Sequence, residues 1–329
     1  MSQAAFVYQI YYDEASRHRV QPEFIPLDNT ASERPDWLEF WPILKFLQSN
    51  TLQEGVWYGF LSPRFTEKTG VNGHQVIELL NMVGDTEDVV LISPFWDHGA
   101  YFLNAFEEGE ATVAGLLDAS QRFVDSIGFA IDLKTRVVTS RNTVFSNYFI
   151  AKPVFWRRWL ELAQQLWKCC EHHSNQLAVD LNAATTYPAR AGQPVALKIF
   201  LQERLVCLLL DGPEFRVGSI DLSEGHRVDG MFYSDESKRA DLHRCDSLKA
   251  QYLETQDETV LESYWALRRT IATVVPVPQG PGPADRGRQV EQRRRDVQFP
   301  AFGPRFQLTG WSSWSPGVEQ PQATIILRA

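Results

Sequence analysis

The chain of 329 residues is poor in cysteine, has no long hydrophobic run and contains fewer basic than acidic residues. Its four cysteines, Cys169, Cys170, Cys207 and Cys245, include no C-x-x-C pair, which argues against a disulfide framework, and we expect reduced thiols. No stretch approaches the roughly 18 apolar residues of a membrane-spanning helix, and the first residues lack a basic segment followed by an apolar one. These absences predict a cytoplasmic protein.

Metal ligands are also scarce. Cys169 and His173 are four residues apart in a predicted helix and could share an ion, but two ligands do not form a site. Because no second pair has suitable spacing, we interpret the segment as the polar end of a helix and predict no metal site.

The net charge of −9 argues against nucleic acid as a partner, because proteins that bind a phosphate backbone concentrate positive charge. The balance between basic and acidic residues changes near the C-terminus, where residues 276–329 contain seven arginines and four acidic residues. This segment begins with a run of prolines and glycines. We predict a linker and disordered tail, whose basic side chains are compatible with peripheral contact with the inner membrane.

Residues 1–275 have the composition of one large α/β domain. Apolar, β-prone segments at 6–12, 56–61 and 88–95 alternate with amphipathic stretches, a pattern that predicts a sheet flanked by helices. Glu39 occurs inside one aromatic stretch that has helical spacing. A glutamate is rarely buried without a partner, so we expect Glu39 to face solvent.

The segment from Asn142 to Leu160 contains a strand, a polar pair and a helix. Residues 144–151 are β-branched and aromatic around Ser146 and Asn147, which predicts a strand with a polar interruption. Pro153 suits a first helical turn, and a helix of about five turns should follow. Ser146 and Asn147 either present a hydroxyl and an amide to a ligand beyond the sheet or simply cap the strand.

Two cations follow the strand predicted at 56–61. Arg64 can clamp two phosphate oxygens and Lys68 can add a point charge, a combination that suits a diphosphate. An ordinary solvated turn explains the same residues equally well.

Further polar residues occur in apolar surroundings. Asp97, His98, Asn104 and Glu107 lie among aromatic residues after the strand predicted at 88–95, and aromatic faces with carboxylates and amides suit sugars. Glu203 and Arg204 interrupt the apolar segment 199–210. Either an internal ion pair or a carboxylate in a substrate cleft would explain that interruption.

Four segments, in this order, resemble the bacterial GT-A type glycosyltransferases of capsular polysaccharide, exopolysaccharide and O-antigen biosynthesis. They are Glu39-Phe40-Trp41, Gly59 to Phe65, Asn147 to Lys152 and Ile199 to Leu205. The family's Gly-x-x-His-Tyr-Arg-Arg turn is only partly matched, since residues 59–65 lack the His-Tyr and the second arginine. The Asp-x-Asp with which many GT-A enzymes hold a divalent ion is absent, which leaves metal dependence open.

The resemblance implies a GT-A-like (Rossmann-like) mixed sheet flanked by helices. It also implies an enzyme that moves a sugar from a nucleotide-sugar donor to a glycan or lipid-linked acceptor in cell-surface polysaccharide biosynthesis. Arg64 and Lys68 would then hold the donor diphosphate. Under this hypothesis Tyr11, Asp13, Ser146 and Asn147 also bind the donor, His98, Asn104 and Arg204 bind the acceptor, and the catalytic base is Glu203, Asp97 or Glu107, with Glu203 preferred.

The alternative is a non-catalytic carbohydrate-binding or assembly protein with a GT-A-like core. The missing Asp-x-Asp and the altered arginine turn favour this alternative.

Overall fold

The computed structural model describes residues 4–172, 174–185, 194–210, 214–223, 238–274 and 325–327. The strands are β1 (Ala5–Tyr11), β2 (Ile25–Asp28), β3 (Trp57–Leu61), β4 (Val89–Leu91), β5 (Phe149–Ala151), β6 (Ala184–Thr185), β7 (Val195–Ala196), β8 (Val217–Ile220) and β9 (Ile325–Leu327). The α-helices are α1 (Glu14–Arg17), α2 (Phe40–Ser49), α3 (Phe65–Thr69), α4 (Gly73–Val83), α5 (Trp96–Tyr101), α6 (Ala105–Thr112), α7 (Leu116–Ser126), α8 (Pro153–His172), α9 (Gln176–Asn182), α10 (Leu197–Gln202), α11 (Arg239–Thr255) and α12 (Glu258–Val274). Short 3-10 helices span Pro35–Trp37, Ser140–Asn142 and Leu205–Leu208.

The main sheet is mixed, with the strand order β2-β1-β3-β5-β4-β8-β9. Strands β1 to β4 and β8 run in one direction, whereas β5 is antiparallel to both of its neighbours, β3 and β4. The beginning of β5 therefore lies at the same edge as the ends of the parallel strands. We call this edge of the sheet the carboxyl edge. The short strands β6 and β7 form a separate antiparallel pair.

Two apolar layers enclose the sheet. Side chains alternate along the central strands, so that Val89 and Phe149 contribute to one core and Val90 and Ile150 to the other. The first core contains apolar residues of α2, α7, α8 and α9, and the second contains the buried stripe of α4. This three-layer α/β/α arrangement confirms the predicted class, a mixed sheet flanked by helices.

Some local predictions are confirmed and others are wrong; the strand predicted at 88–95, for example, extends only from Val89 to Leu91. Helix α8 begins at Pro153 and continues for 20 residues, as the apolar spacing predicted. The strand predicted over 144–151 is shorter, because β5 begins only at Phe149. Ser146 and Asn147 adopt φ values of 62° and 56°, a left-handed conformation that cannot continue a strand. The polar pair is thus a turn before the strand.

The predicted tail lies almost wholly outside the described residues. Within 276–329 only the backbone of Ile325–Leu327 is described, and this strand, β9, pairs antiparallel with β8 at the edge of the sheet. His173, which we considered beside Cys169, also lies outside the described residues, and all four cysteines are buried thiols. Among the described helices, none has the length and apolar character needed to cross a membrane.

A buried lysine joins the last two helices to the rest of the domain. Helices α11 and α12 pack against α5, and Lys249 of α11 is completely buried. Its Nζ donates to the carbonyl oxygens of Phe102 and Val138, both at 2.8 Å, and to that of Gly99. Burial lowers its pKa to about 8. The three acceptors need all three N–H bonds of the ammonium, so Lys249 is charged at neutral pH.

We predict that Lys249→Met lowers the free energy of unfolding by about 3–5 kcal/mol. Methionine keeps an unbranched apolar stem but leaves three buried carbonyl oxygens without this donor. Urea denaturation of wild type and variant measures the difference. The matched control is Lys168→Met on the exposed face of α8, which should change stability by about 0.5 kcal/mol or less. Equal losses in the two variants would contradict the assignment.

Candidate functional site

The carboxyl edge brings together two polar segments that lie far apart in the sequence. Lys68, in the last turn of α3, is half-buried, and its Nζ donates to Ser146 Oγ at 2.8 Å. The same Nζ lies 5.6 Å from the centre of the Tyr148 ring. Tyr148 shares a hydrogen bond with Ser62. The end of β3 and the turn before β5 thus form one polar surface.

That turn is strained. Ser146 and Asn147 are consecutive non-glycine residues with positive φ, and each such residue costs of order 1–3 kcal/mol. Asn147 is 4% exposed, and its Nδ2 donates to Gln202 Oε1 at 3.0 Å. Its Oδ1 has no hydrogen-bond partner within the described part of the chain. The strained turn therefore joins the start of β5 to the end of α10 and retains a buried hydrogen-bond acceptor.

Glu203 occupies the C-cap position of α10 directly after Gln202. Helix α10 therefore ends at Gln202, within the apolar segment 199–210. Burial raises the pKa of Glu203, the positive charges of Arg204 and Lys68 lower it, and the negative charge of Glu39 raises it further. The net effect is a raised pKa. A carboxylate in such surroundings accepts a proton more readily than an exposed one.

Glu39 is half-buried, contrary to our expectation that it faces solvent. Its negative charge acts on Lys68, Tyr148 and Glu203. It follows Leu38, whose φ of 47° is rare for a leucine, and it occupies the N-cap position of α2. We define the Lys68 cluster as Glu39, Ser62, Lys68, Ser146, Asn147, Tyr148, Gln202 and Glu203.

The Lys68 cluster shows what the sequence predictions missed. Glu39, Ser62, Tyr148 and Gln202 were not chosen as site residues. The only available signal was their position, since Ser62 directly follows a strand, and Tyr148 and Gln202 adjoin chosen residues. Of the predicted donor and catalytic residues, Lys68, Ser146, Asn147 and Glu203 do lie together.

Three buried side chains, Arg204, Glu108 and His98, contact one another in series, beginning at the residue after Glu203. Arg204 Nη2 donates to Glu108 Oε2 at 2.6 Å, and Glu108 Oε1 lies 3.0 Å from His98 Nδ1. Arg204 also donates to the carbonyl oxygens of Ala105 at 2.6 Å and Phe200 at 2.9 Å. A Cβ added at Gly109 would lie 2.9 Å from Arg204 Cζ, so glycine leaves room for the guanidinium. These contacts hold the turn that contains Glu203.

The structure places three other predicted residues away from the Lys68 cluster. Asn104 caps α6 through Phe106 N at 2.9 Å and Glu107 N at 3.0 Å, and its Nδ2 donates to two carbonyl oxygens. Glu107 pairs with Arg268 at 2.9 Å. Asp97 is 1% exposed, burial raises its pKa, and its Oδ2 has no hydrogen-bond partner among the described residues.

The remaining predicted donor residues lie along the same edge. Tyr11 ends β1, and the Asp28 carboxylate at the end of neighbouring β2 raises its pKa through a hydrogen bond. Asp13 caps α1 by accepting from Ser16 N at 2.7 Å. Arg64 is exposed and pairs with Glu67 at 2.8 Å. The end of β1 and the start of α3 thus supply an aromatic ring, a carboxylate and a guanidinium beside the Lys68 cluster.

The described residues do not fit a metal site. No group of three or more His, Cys, Asp or Glu side chains in that part of the chain is placed to hold an ion. The Lys68 ammonium and the Arg64 guanidinium supply positive charge at this edge. Comparison with protein-family models, with curated proteins and with solved structures gave no match.

The His98–Glu108 contact predicts a dependence of stability on pH. Burial alone would lower the pKa of His98, but the hydrogen bond with Glu108 and the negative charges of Asp97 and Glu108 outweigh burial and the Arg204 charge, and they raise the pKa. A raised pKa in the folded state gives stability that is fully present below the unfolded value of about 6.5. This contribution is lost as the pH rises through the folded pKa.

We therefore expect the free energy of unfolding of the wild type to fall as the pH rises from 6.5, and His98→Gln to lack this part of the fall. Denaturant titrations at a series of pH values measure it. His18→Gln, at an exposed histidine that pairs with Glu14, is the matched control and should keep the wild-type profile. A wild-type profile in His98→Gln would show that the buried contact does not favour the protonated histidine.

Proposed function

We propose that the chain is a glycosyltransferase with a GT-A-like fold that moves a sugar from a nucleotide-sugar donor to a glycan or lipid-linked acceptor. The principal support is the Lys68 cluster, in which a half-buried ammonium and a carboxylate of raised pKa act on each other at the carboxyl edge of a mixed sheet. Open α/β sheets bind their ligands in the crevice beyond this edge.

The transfer reaction demands both of these groups. Negative charge grows on the leaving diphosphate while the anomeric carbon becomes cationic, so a fixed positive charge beside the diphosphate lowers the barrier. Lys68 supplies that charge, and Ser146 Oγ fixes the position of its Nζ. Arg64, which is exposed, adds a guanidinium nearer the solvent. Within the described part of the chain no group of three or more His, Cys, Asp or Glu side chains is placed to hold an ion, so the proposal assigns this positive charge to Lys68 and Arg64.

Glu203 is the general base in this proposal. An acceptor hydroxyl must lose its proton as it attacks, and a base whose pKa lies closer to neutrality takes that proton more effectively than an ordinary glutamate. Burial supplies the rise in the pKa of Glu203. The Arg204–Glu108 contact holds the backbone turn and so positions the carboxylate.

The donor nucleoside would lie along the ends of β1 and β2. Tyr11 offers an aromatic ring and Asp13 an exposed carboxylate at the end of β1, next in the sheet to β3 and the diphosphate cations. Asn147 Oδ1, a buried acceptor without a described partner, suits a donor-sugar hydroxyl. A lipid-linked acceptor would bring the protein to a membrane surface.

The proposed role of Lys68 and Arg64 leads to a prediction about donor affinity. Lys68→Ala should weaken binding of the preferred nucleotide sugar by about 1.5–3 kcal/mol for each charge-assisted hydrogen bond lost, and Arg64→Ala should weaken it less, because Arg64 is exposed and already paired. Isothermal titration calorimetry measures both. Lys134→Ala, at an exposed lysine in the loop before β5, is the control. Unchanged affinity in the Arg64/Lys68 double variant would remove these residues from the site.

The proposed role of Glu203 leads to a prediction about the chemical step. Glu203→Gln should keep the fold and the donor affinity but reduce the transfer rate by about 10²–10⁴, the usual effect of losing a positioned general base. Glu214→Gln, at an exposed glutamate, should transfer at the wild-type rate. A wild-type rate in Glu203→Gln would contradict its role as the general base. Donor binding by the wild type without any transfer would instead favour a non-catalytic carbohydrate-binding protein.

A further inference from the structure

A second part of the carboxyl edge forms a cleft of about 800 Å³. It opens where the parallel strands β4 and β8 end side by side, and it is lined by both strand ends, by the 3-10 helix Ser140–Asn142 and by α11. Its volume lies in the range of small-molecule sites. The cleft adjoins the Lys68 cluster along the chain, because Thr143 lines the cleft and Ser146 accepts the hydrogen bond from Lys68.

The lining of the cleft is rich in groups that bind hydroxyls. It includes seven serine and threonine side chains, the amides of Asn142 and Gln251, and the indole of Trp96. Trp96 stacks on His243 with the ring centres 4.7 Å apart. Aromatic surface combined with hydroxyls and amides suits a sugar ring, which has apolar C–H faces and a polar rim.

The described lining of the cleft contains more acidic than basic side chains. Among the described lining residues, three carboxylates, from Asp221, Asp246 and Glu254, accompany the guanidinium of Arg141, and the Lys249 ammonium lies 3.6 Å from Asp246 Oδ1. A phosphate or diphosphate would meet net negative charge here, whereas the Lys68 cluster offers an ammonium. The two parts of the carboxyl edge therefore differ in the ligand they favour, one an anion and the other a neutral polyhydroxyl compound.

One side of the cleft is held firmly. Asp246 of α11 accepts hydrogen bonds from Ser140 N at 2.7 Å and from Ser140 Oγ at 2.6 Å. These bonds join α11 to the 3-10 helix Ser140–Asn142. Lys249, one turn further along α11, fixes the helix to α5 by donating to the carbonyl oxygen of Gly99. A ligand would therefore meet a largely preformed surface, which lowers the entropic cost of binding.

We propose that this cleft binds a neutral saccharide and, given the proposed function, that the saccharide is the acceptor. The residues first expected to bind the acceptor, His98, Asn104 and Arg204, hold internal contacts and do not line the cleft. An acceptor in the cleft would approach Glu203 from the side of β5 opposite the end of β1, where the nucleoside is proposed to bind.

The test compares two tryptophan substitutions on α11. Ala250 lines the cleft and Ala240 does not, so Ala250→Trp should fill the cleft whereas Ala240→Trp adds the same side chain to an exposed position. The probes are neutral oligosaccharides of glucose, mannose and galactose, with hyaluronan oligosaccharides as the anionic comparison. Binding is measured by calorimetry, and thermal unfolding verifies that both variants fold.

We expect the wild type and Ala240→Trp to bind at least one neutral oligosaccharide, and Ala250→Trp to bind it about tenfold more weakly or not at all. Hyaluronan should bind to none of them. If the wild type binds no neutral oligosaccharide, or if Ala250→Trp binds as well as Ala240→Trp, the proposal is overturned. Should Ala250→Trp fail to fold, Gln251→Trp on the same lining replaces it.

Nucleotide-sugar hydrolysis by the same proteins separates this proposal from the proposed function. Neutral saccharide binding that is lost in Ala250→Trp, without hydrolysis of any nucleotide sugar by the wild type, would support the cleft and contradict the transferase. Hydrolysis without saccharide binding would support the transferase and overturn the cleft.

Discussion

The reversed direction of β5 is the constraint on which the site depends. Because β5 runs antiparallel between β3 and β4, its beginning lies beside their ends, and the turn before it reaches the carboxyl edge. Ser146 and Asn147 must adopt left-handed backbone conformations to make that turn. The cost of the strain is offset by contacts on both sides, with Lys68 on one and Gln202 on the other. A parallel strand at this position would place the same residues at the opposite edge.

Charges at this edge alternate in sign from the surface to the interior. Lys68 acts on Glu203, Arg204 follows in the chain, and the guanidinium of Arg204 pairs with Glu108, which in turn contacts His98. A buried charge without a partner lowers the stability of the fold, and an oppositely charged neighbour offsets this cost. These charged side chains therefore stabilise one another. Glu203 lies at the boundary, where burial is sufficient to raise its pKa and a neighbouring cation remains within electrostatic reach. The contact between Arg204 and Glu108, which stabilises the interior, therefore also positions Glu203 at the carboxyl edge.

Sequence patterns identified the elements better than the contacts between them. Apolar spacing predicted the start and length of α8, and β-prone runs located β1 and β3, because both signals are local. The break before β5 depended on left-handed backbone conformations at Ser146 and Asn147, which the local sequence permits at asparagine but does not require. Glu39 was expected to face solvent, since the charged side chains on which its charge acts, Lys68 and Glu203, come from segments far away in the sequence. The cleft between β4, β8 and α11 was not foreseeable, because it exists only through packing.

The most direct test of the central claim is the release of nucleoside diphosphate from a panel of nucleotide sugars, measured with the purified protein of 329 residues. If Lys68 and Glu203 form a transferase site, the protein should bind at least one donor and hydrolyse it slowly, with water replacing the missing acceptor. The hydrolysis rate should saturate with donor concentration as expected for one binding site. A protein that neither binds nor hydrolyses any donor in the panel would contradict the account, and the Lys68 cluster would then be a structural network.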